Sequence, residues 1–158
     1  MILKIKIYPD KILKTKAKPV GLIDDAIKKL VDDMVETMYA GQGVGLAANQ
    51  VGAAQQIITV DAGDGLKVLI NPKIISKKGK QISAEGCLSF PGMDFEGIKR
   101  PQAIEVEYKD RRGEQRSLKA QDLLARAICH ETDHLKGKTV LDRASLLKRR
   151  KYRRQLEK

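Results

Sequence analysis

The sequence of 158 residues predicts one α+β domain, with mostly antiparallel sheets around a central helix, an N-terminal helix and a C-terminal helix. Three observations support this fold class. The length suits a single domain that can bury a core without disulfides. Hydrophobic residues form 42% of the chain but aromatic residues only 4%, so the core must be mainly aliphatic. The predicted elements also run in the order helix, several short strands, helix.

The N-terminal helix is predicted over residues 24–40, DDAIKKLVDDMVETMYA, with Asp24 as its N-cap. The apolar side chains recur at the spacing of one helical face, which is typical of a helix packed against a core. These side chains are Ile27, Leu30, Val31, Met34 and Met38. The glycine-rich stretch GQGVGLAANQVG follows and ends the helix.

The strands are predicted between the two long helices. QQIITVDA and LKVLINPKII are β-strands separated by a turn around Gly63–Gly65. SKKGKQ is predicted as a further turn, and EGCLSFPG after it as a loop. Residues 103–109 alternate through Ile104, Val106 and Tyr108 and predict another strand, after which DRRG turns the chain back toward Leu118.

The central helix is predicted from near Asp122 to Gly137, because glycine is a favoured C′ residue. Residues 144–158, ASLLKRRKYRRQLEK, are predicted to continue as the C-terminal helix. Its aliphatic anchors beyond Ala144 would be Leu146, Leu147 and Leu156.

The stretch HETDH in the central helix predicts a metal site. At about 100° per residue, His130 and His134 lie on one stripe with Leu123 and Ala127, and Glu131 flanks that stripe. A pair of histidines packed in the core is the alternative. The H-E-x-x-H spacing on a helix favours metal binding.

A third protein ligand is needed if a tetrahedral site keeps one position open for water. No histidine follows His134, and Glu157, the only downstream glutamate, lies in a basic segment. Cys87, in a glycine-flanked loop, is the remaining candidate. Cys129 adjoins His130 but points about 100° away from it on the helix, so we expect Cys129 to pack in the core.

An open metal position predicts catalysis rather than a purely structural site. Glu131 is placed to accept a proton from metal-activated water and to deliver it to a leaving group. This chemistry is the hydrolysis of an amide or ester carbonyl.

The glycine-rich stretch GVGLAA fits a loose dinucleotide-binding fingerprint, but its context does not. That fingerprint needs a strand before the glycines and a helix after them, whereas here a helix precedes and a strand follows. Instead, Gly43 and Gly45 would let a substrate backbone approach. Gln50, at the end of the stretch, could donate a hydrogen bond to the oxyanion of a tetrahedral intermediate.

Three stretches together resemble the motifs of the peptide deformylase family. GVGLAANQ is similar to its first motif, EGCLS to its second and HETDHLKG to its third, in the same order. The resemblance runs from near residue 5 to about residue 145 and includes YPD near the start and INP before the second motif.

The resemblance implies that the protein removes the formyl group from the initiator methionine of nascent polypeptides. It implies one divalent metal ion, usually Fe²⁺, for which Zn²⁺, Ni²⁺ or Co²⁺ can substitute. The implied metal ligands are Cys87, His130 and His134, and the implied general acid/base is Glu131. Gln50 and the backbone N–H of Leu88 would hold the formyl oxygen, and Gly45 would pair with the peptide backbone.

An apolar slot for the methionine side chain is expected beside the metal. Its walls would come from the glycine-rich stretch and from the central helix, with peptide beyond the methionine adding to a strand edge near residues 43–46. The expected lining residues are Val44, Leu46, Leu123 and Ala127, together with the aliphatic stem of Arg126.

Two departures from the family pattern concern the surroundings of the site. Cys129 stands where the family commonly has glutamine. Met93 and Asp94 stand where many members carry an arginine, with an extra residue before Arg100.

The net charge of +11 is concentrated at the C-terminus, where residues 148–158 carry seven basic residues and one acid. We expect residues 1–147 to be the catalytic domain and residues 148–158 to be a basic helical tail of the same domain. The tail would contact ribosomal RNA phosphates, and its deletion would leave peptide turnover nearly unchanged. The candidate contacts are Lys148, Arg149, Arg150, Lys151, Arg153 and Arg154.

Two other functions fit parts of the sequence. A zinc endopeptidase would use the H-E-x-x-H helix but lacks its usual downstream ligand. A nucleic-acid-binding module with a structural metal would suit the charge but lacks a fourth protein ligand.

The N-terminal segment lacks the continuous apolar run of a secretory signal, and no run approaches a membrane span. We therefore expect a cytoplasmic protein with no membrane contact, while an organellar origin with a trimmed transit peptide stays open. We also expect a monomer.

Overall fold

The computed structural model describes all 158 residues and confirms the predicted α+β class. None of its helices combines the length and apolar character needed to cross a membrane. Short 3-10 helices span Lys11–Lys14 and Ala48–Val51. The α-helices are α1 (Asp25–Ala40), α2 (Asp122–Leu135), α3 (Val140–Arg143) and α4 (Leu146–Leu156). The strands are β1 (Gly45–Ala47), β2 (Ile57–Val60), β3 (Lys67–Lys78), β4 (Gln81–Glu85), β5 (Phe95–Arg100), β6 (Ala103–Lys109) and β7 (Gln115–Gln121).

The strands form two antiparallel sheets. Five strands pair in the order β1-β2-β3-β6-β7, and β4 pairs with β5. The register places Leu46 opposite Thr59 and Ile58 opposite Leu69. Because β1 is an edge strand, one side of its backbone has no strand partner in the sheet.

The five-stranded sheet lies between α1 and α2. Successive residues of a strand point to opposite faces of a sheet. Accordingly, Leu46 and Ile57 pack with the buried face of α1, whereas Ala47 and Ile58 pack with α2. This alternation gives the domain two aliphatic cores, one on each face of the sheet.

A third, smaller core contains most of the aromatic residues. The rings of Phe90 and Phe95 meet edge to face at 5.1 Å between centroids, and Phe95 meets Tyr152 of α4 at 4.8 Å. Tyr8 from the N-terminal segment stacks on Phe90 at 5.0 Å. The third core thus joins α4 to the segment between β4 and β5.

The predicted loop over residues 85–92 is confirmed apart from Glu85, but the predicted turn over residues 76–81 is shorter than expected. β3 continues through the predicted turn to Lys78, and the chain reverses around Gly79, whose φ is +67°. β4 and β5, which the sequence did not predict, follow. β4 and β5 pair only with each other, and the central residues of β4 are exposed. The side chains of these strands therefore lack the apolar alternation by which a strand is predicted.

The predicted anchors of the C-terminal helix are also partly wrong. Leu146 and Leu147 are 65% and 80% exposed, whereas Tyr152 is buried and Leu156 packs beside it. The Tyr152 hydroxyl accepts a hydrogen bond from the Glu96 backbone N–H at 3.0 Å. Residues four apart share a helical face, so Tyr152 and Leu156 hold α4 against β5.

The predicted ends of both long helices are confirmed. The Asp24 carboxylate caps α1 by accepting from the Ile27 N–H at 3.0 Å. Gly137 follows α2 with a φ of +76°, and a Cβ there would lie 2.5 Å from the Lys14 carbonyl oxygen. The left-handed backbone and the close approach both require glycine at this position.

Replacing Gly137 by alanine is expected to lower the free energy of unfolding by about 1–3 kcal/mol from backbone strain alone, with the clash adding to the loss. Denaturant unfolding monitored by circular dichroism measures the change. Gly21→Ala is the control, because nothing lies within 4 Å of a Cβ at Gly21. Equal stability losses in the two variants would contradict the assignment.

Candidate active site

A cleft of about 580 Å³ opens between the start of β1, the segment that follows β4, and α2. The glycine-rich stretch contributes Gly43, Val44 and Gly45 to one wall, and residues 84–88 and 90–94 form the other. α2 provides the floor. The three stretches with recognisable motifs are thereby brought to one place.

Three potential metal ligands meet beside the cleft, two of which, Cys87 and His130, line it. One ligand atom each from Cys87, His130 and His134 lies within 4.8 Å of the others, and Cys87 Sγ is 3.5 Å from His134 Nε2. Atoms that bind one tetrahedral ion at about 2.0–2.3 Å are separated by about 3.3–3.8 Å. The thiol and the two imidazoles therefore fit a divalent metal ion.

The electrostatic environment also suits a cation. Burial lowers the pKa of His134 well below its ordinary value, which keeps this imidazole neutral as a ligand must be. Burial acts the same way on His130, but the charge of Glu131 and the hydrogen bonds to Cys87 and Glu85 outweigh it and raise the pKa of His130. The groups around His130 thus favour a positive charge at that position.

Cys129 lies outside this group. Its side chain is buried in the aliphatic core between α2 and the sheet, as the helical phase predicted. Burial raises the pKa of the Cys129 thiol, so the side chain behaves as a small apolar group.

Glu85 orients the imidazole of His130. The two side chains meet at 2.8 Å between His130 Nδ1 and Glu85 Oε1. When Nδ1–H donates to the carboxylate, Nε2 keeps its lone pair for a metal ion. Although burial opposes it, hydrogen bonds from His130 and Arg100 lower the pKa of Glu85 to about 2.

A buried ion-pair network surrounds this contact. Arg100 donates to both oxygens of Glu85 at 2.9 Å and to Asp133 at 2.7 Å. Arg126 donates to Glu85 as well, and Arg143 donates to both oxygens of Asp133. Sequence reasoning missed Glu85 and Asp133 as site residues. Their positions inside two recognisable motifs were the available signal.

Glu131 is buried beside the potential metal ligands. Its Oε1 is 3.7 Å from His130 Nε2, and its Oε2 has no hydrogen-bond partner in the protein. Burial raises the pKa of the Glu131 carboxyl to about 7, which suits a group that accepts and returns a proton near neutral pH. Gly45 makes this position possible, because a Cβ there would lie 2.8 Å from Glu131 Cγ.

The carboxamide of Gln50 is held in one orientation. Its Oε1 accepts from the Ala47 N–H at 3.0 Å, which leaves Nε2 to point toward the segment after β4. Nε2 lies 3.1 Å from Ser89 Oγ and 3.4 Å from Cys87 Sγ. A donor is therefore fixed beside the potential metal ligands. Ser89, which supports it, was missed by sequence reasoning.

The expected methionine slot is only partly formed by the predicted residues. Val44, Leu123 and Ala127 line the cleft, as does Leu88, whose backbone N–H was predicted to hold the formyl oxygen. Leu46 does not line it, and that prediction is wrong. Alternation along β1 turns Gly45 toward Glu131 and Leu46 into the core beneath α1.

Arg126 lines the cleft but serves mainly as an ion-pair partner. Its guanidinium is buried against Glu85 and also donates to the Ile98 carbonyl oxygen at 3.1 Å.

Two residues after the second motif depart from the family pattern. Met93 packs on the third core, and Asp94 is exposed at the cleft rim.

Comparisons with known proteins agree with this geometry. The model of the polypeptide deformylase family matches residues 2–150. The chain is 50% identical over 135 residues to a peptide deformylase of Thermoanaerobacter pseudethanolicus, an alignment that covers 85% of this chain and 84% of that protein. It is 48% identical over 160 residues to one of Nitrosococcus oceani, with 99% and 95% coverage.

A solved structure extends the match to three dimensions. The chain superposes on a peptide deformylase from Ehrlichia chaffeensis in complex with actinonin with a TM-score of 0.94 and 41% identity, covering 99% of this chain and 96% of that one. The comparisons support neither an endopeptidase nor a nucleic-acid-binding module. The match spans nearly the whole sequence and includes all three cleft motifs, and the chain therefore belongs to the polypeptide deformylase family.

Proposed function

We propose that this chain hydrolyses the formyl–nitrogen bond of formyl-methionyl peptides, releasing formate and a methionyl peptide. One observation carries the proposal. The ligand atoms of Cys87, His130 and His134 lie together, and Cys87, His130 and the neighbouring Glu131 line a peptide-sized cleft. The family is one of metalloenzymes, and this arrangement supplies both a metal-binding group and a proton carrier.

The metal site is assigned to Cys87, His130 and His134. When bound there, a divalent metal ion supplies Lewis acidity and lowers the pKa of water. Fe²⁺ is the proposed ion, on the basis of the family resemblance, with Zn²⁺, Ni²⁺ or Co²⁺ as substitutes. The soft thiolate of Cys87 suits such borderline transition-metal ions better than it suits Mg²⁺ or Ca²⁺.

Glu131 is the proposed proton carrier. Its buried carboxylate accepts a proton from the attacking water and returns it to the peptide nitrogen as the carbon–nitrogen bond breaks. Gln50 Nε2 and the Leu88 N–H donate hydrogen bonds to the formyl oxygen as negative charge develops on it. The fixed orientation of the Gln50 carboxamide supports this role, because no reorganisation is needed when the charge appears.

The peptide is proposed to bind as an added strand. The open edge of β1 at Gly45 offers backbone groups to an extended chain. Val44, Leu123 and Ala127 would contact the methionine side chain. This placement directs the blocked N-terminus toward the metal ligands and the rest of the nascent chain toward the mouth of the cleft.

Anaerobic purification, metal analysis and turnover of formyl-Met-Ala-Ala against acetyl-Met-Ala-Ala test the proposal together. One metal per chain with release of formate alone is the expected result. Cleavage of internal peptide bonds would favour the endopeptidase. One metal with no turnover of either peptide would favour a structural site.

The finer biological setting is also proposed. The protein acts in the cytoplasm, as a monomer, on formyl-methionyl nascent chains. α4 is proposed to contact ribosomal RNA through Lys148, Arg150, Lys151, Arg153 and Arg154, which are all exposed. Arg149 is set aside from this surface, because its guanidinium donates to the Asp142 and Ala144 carbonyl oxygens.

Glu131→Gln is expected to retain the metal and to lower turnover by about 10²–10⁴-fold, because the amide keeps the size of the side chain but cannot carry the proton. Metal content by atomic absorption and kcat on formyl-Met-Ala-Ala are the measurements. Loss of metal, or a near-normal rate, would show that Glu131 has another role.

The two cysteines are expected to behave differently. Cys87→Ser should lose most bound metal and most activity, since an alcohol is a far poorer ligand than a thiolate for these ions. Cys129→Ser should keep both, because that side chain lies in the core away from the ligands. Metal content and turnover of both variants provide the comparison, and similar losses in both would contradict it.

Deleting residues 148–158 is a poor test of ribosome binding, because the deletion removes the buried Tyr152 and uncovers Phe95. Replacing Arg150, Lys151, Arg153 and Arg154 by glutamine keeps that packing. We expect unchanged turnover of small peptides and weaker ribosome association. The slope of the logarithm of the binding constant against the logarithm of salt concentration should become shallower by about 0.7–0.9 for each lost phosphate contact.

The matched control replaces four exposed lysines near the N-terminus by glutamine, so that the net charge changes equally. These lysines are Lys11, Lys14, Lys16 and Lys18. Cosedimentation with ribosomes at several salt concentrations separates the two variants. Equal binding by both would show that net charge, rather than α4, drives the association.

A further inference from the structure

The cleft rim carries one charged side chain that nothing in the protein neutralises. The charged residues lining the cleft are Glu85, Asp94, Arg126, His130 and Glu131. Glu85 and Arg126 pair with each other, and His130 and Glu131 lie together at the floor. Asp94 is exposed and makes no ion pair or hydrogen bond.

Asp94 projects over the wall of the cleft rather than away from it. Its Oδ1 lies 3.7 Å from the position that a Cβ of Gly86 would occupy, and Gly86 is next to Cys87. No lysine contributes to the lining, and the single arginine there is buried and paired. The mouth of the cleft is therefore locally negative in a chain whose net charge is +11.

In the proposed binding mode, a nascent chain passes this rim. Its blocked N-terminus lies among the buried groups at the floor, so the residues after methionine leave through the exposed mouth, where Pro91–Asp94 form part of the wall. Within a few ångströms, a carboxylate attracts an ammonium or guanidinium group and repels another carboxylate.

We propose that Asp94 is a specificity-determining residue, an inference that rests on the proposed function. Asp94 favours formyl-methionyl peptides with lysine or arginine in the positions just after methionine. It disfavours acidic residues there. At long range, the net positive charge of the chain attracts acidic peptides and repels basic ones, which opposes the effect of Asp94. The contribution of Asp94 is therefore measured as a change in selectivity rather than as an absolute preference.

The test compares formyl-Met-Lys-Lys, formyl-Met-Ala-Ala and formyl-Met-Glu-Glu with the metal-loaded enzyme. For Asp94→Asn, the ratio of kcat/KM for the lysine peptide to that for the glutamate peptide should fall by about threefold to tenfold, as expected for exposed charge pairs. Asp94→Lys should lower it further. This ratio is the readout because it cancels any general loss of activity.

Glu96→Gln is the matched control. Glu96 is exposed two residues away, forms no ion pair and does not line the cleft, so the variant changes the net charge equally while sparing the rim. Its ratio should match that of the unaltered enzyme. The Asp94 effect should also shrink at high ionic strength, because salt screens exposed charges.

A ratio unaffected by Asp94→Asn, or equal changes in the Asp94 and Glu96 variants, would overturn the assignment while leaving the deformylase activity in place. Failure of the unaltered enzyme to release formate from formyl-Met-Ala-Ala would overturn the proposed function, and the specificity assignment with it.

Discussion

The buried carboxylate of Glu85 is the group on which the arrangement of the site depends. It lies at the end of β4 and binds His130 of α2, Arg100 of β5 and Arg126 of α2. One side chain thus fixes the imidazole and joins the two-stranded sheet to the central helix. Removing one partner from such a network leaves the others buried without compensation, at a cost of about 3–5 kcal/mol.

The position of the sheet between α1 and α2 explains how the edge strand β1 comes to lie beside Glu131. β1 ends the five-stranded sheet, and α2 packs directly against β1 and β2. At Gly45 the absence of a side chain lets Glu131 approach the strand backbone. A larger residue there would displace the Glu131 side chain, so the placement of Glu131 depends on this glycine.

The third core links the basic C-terminal helix to the segment that holds Cys87. Tyr152 of α4 packs on Phe95, and Cys87 and Met93 pack against the same cluster. α4 is therefore part of the support for the cleft wall, while its basic side chains remain exposed. Most of the basic side chains of α4 and the side chains that pack it in place lie on different faces of the helix.

The sequence alone determined the features that depend on local periodicity and residue chemistry. These are the two long helices and their ends, the strands β2, β3 and β6, and the metal-ligand candidates at Cys87, His130 and His134. The tertiary structure decided what depends on contacts between distant segments. Glu85 and Arg100 became partners only when β4 and β5 paired, and their strands carry no clear apolar alternation. Leu46 was turned into the core because β1 is a strand with α1 on one face, and Tyr152 was buried because Phe95 lies beneath α4.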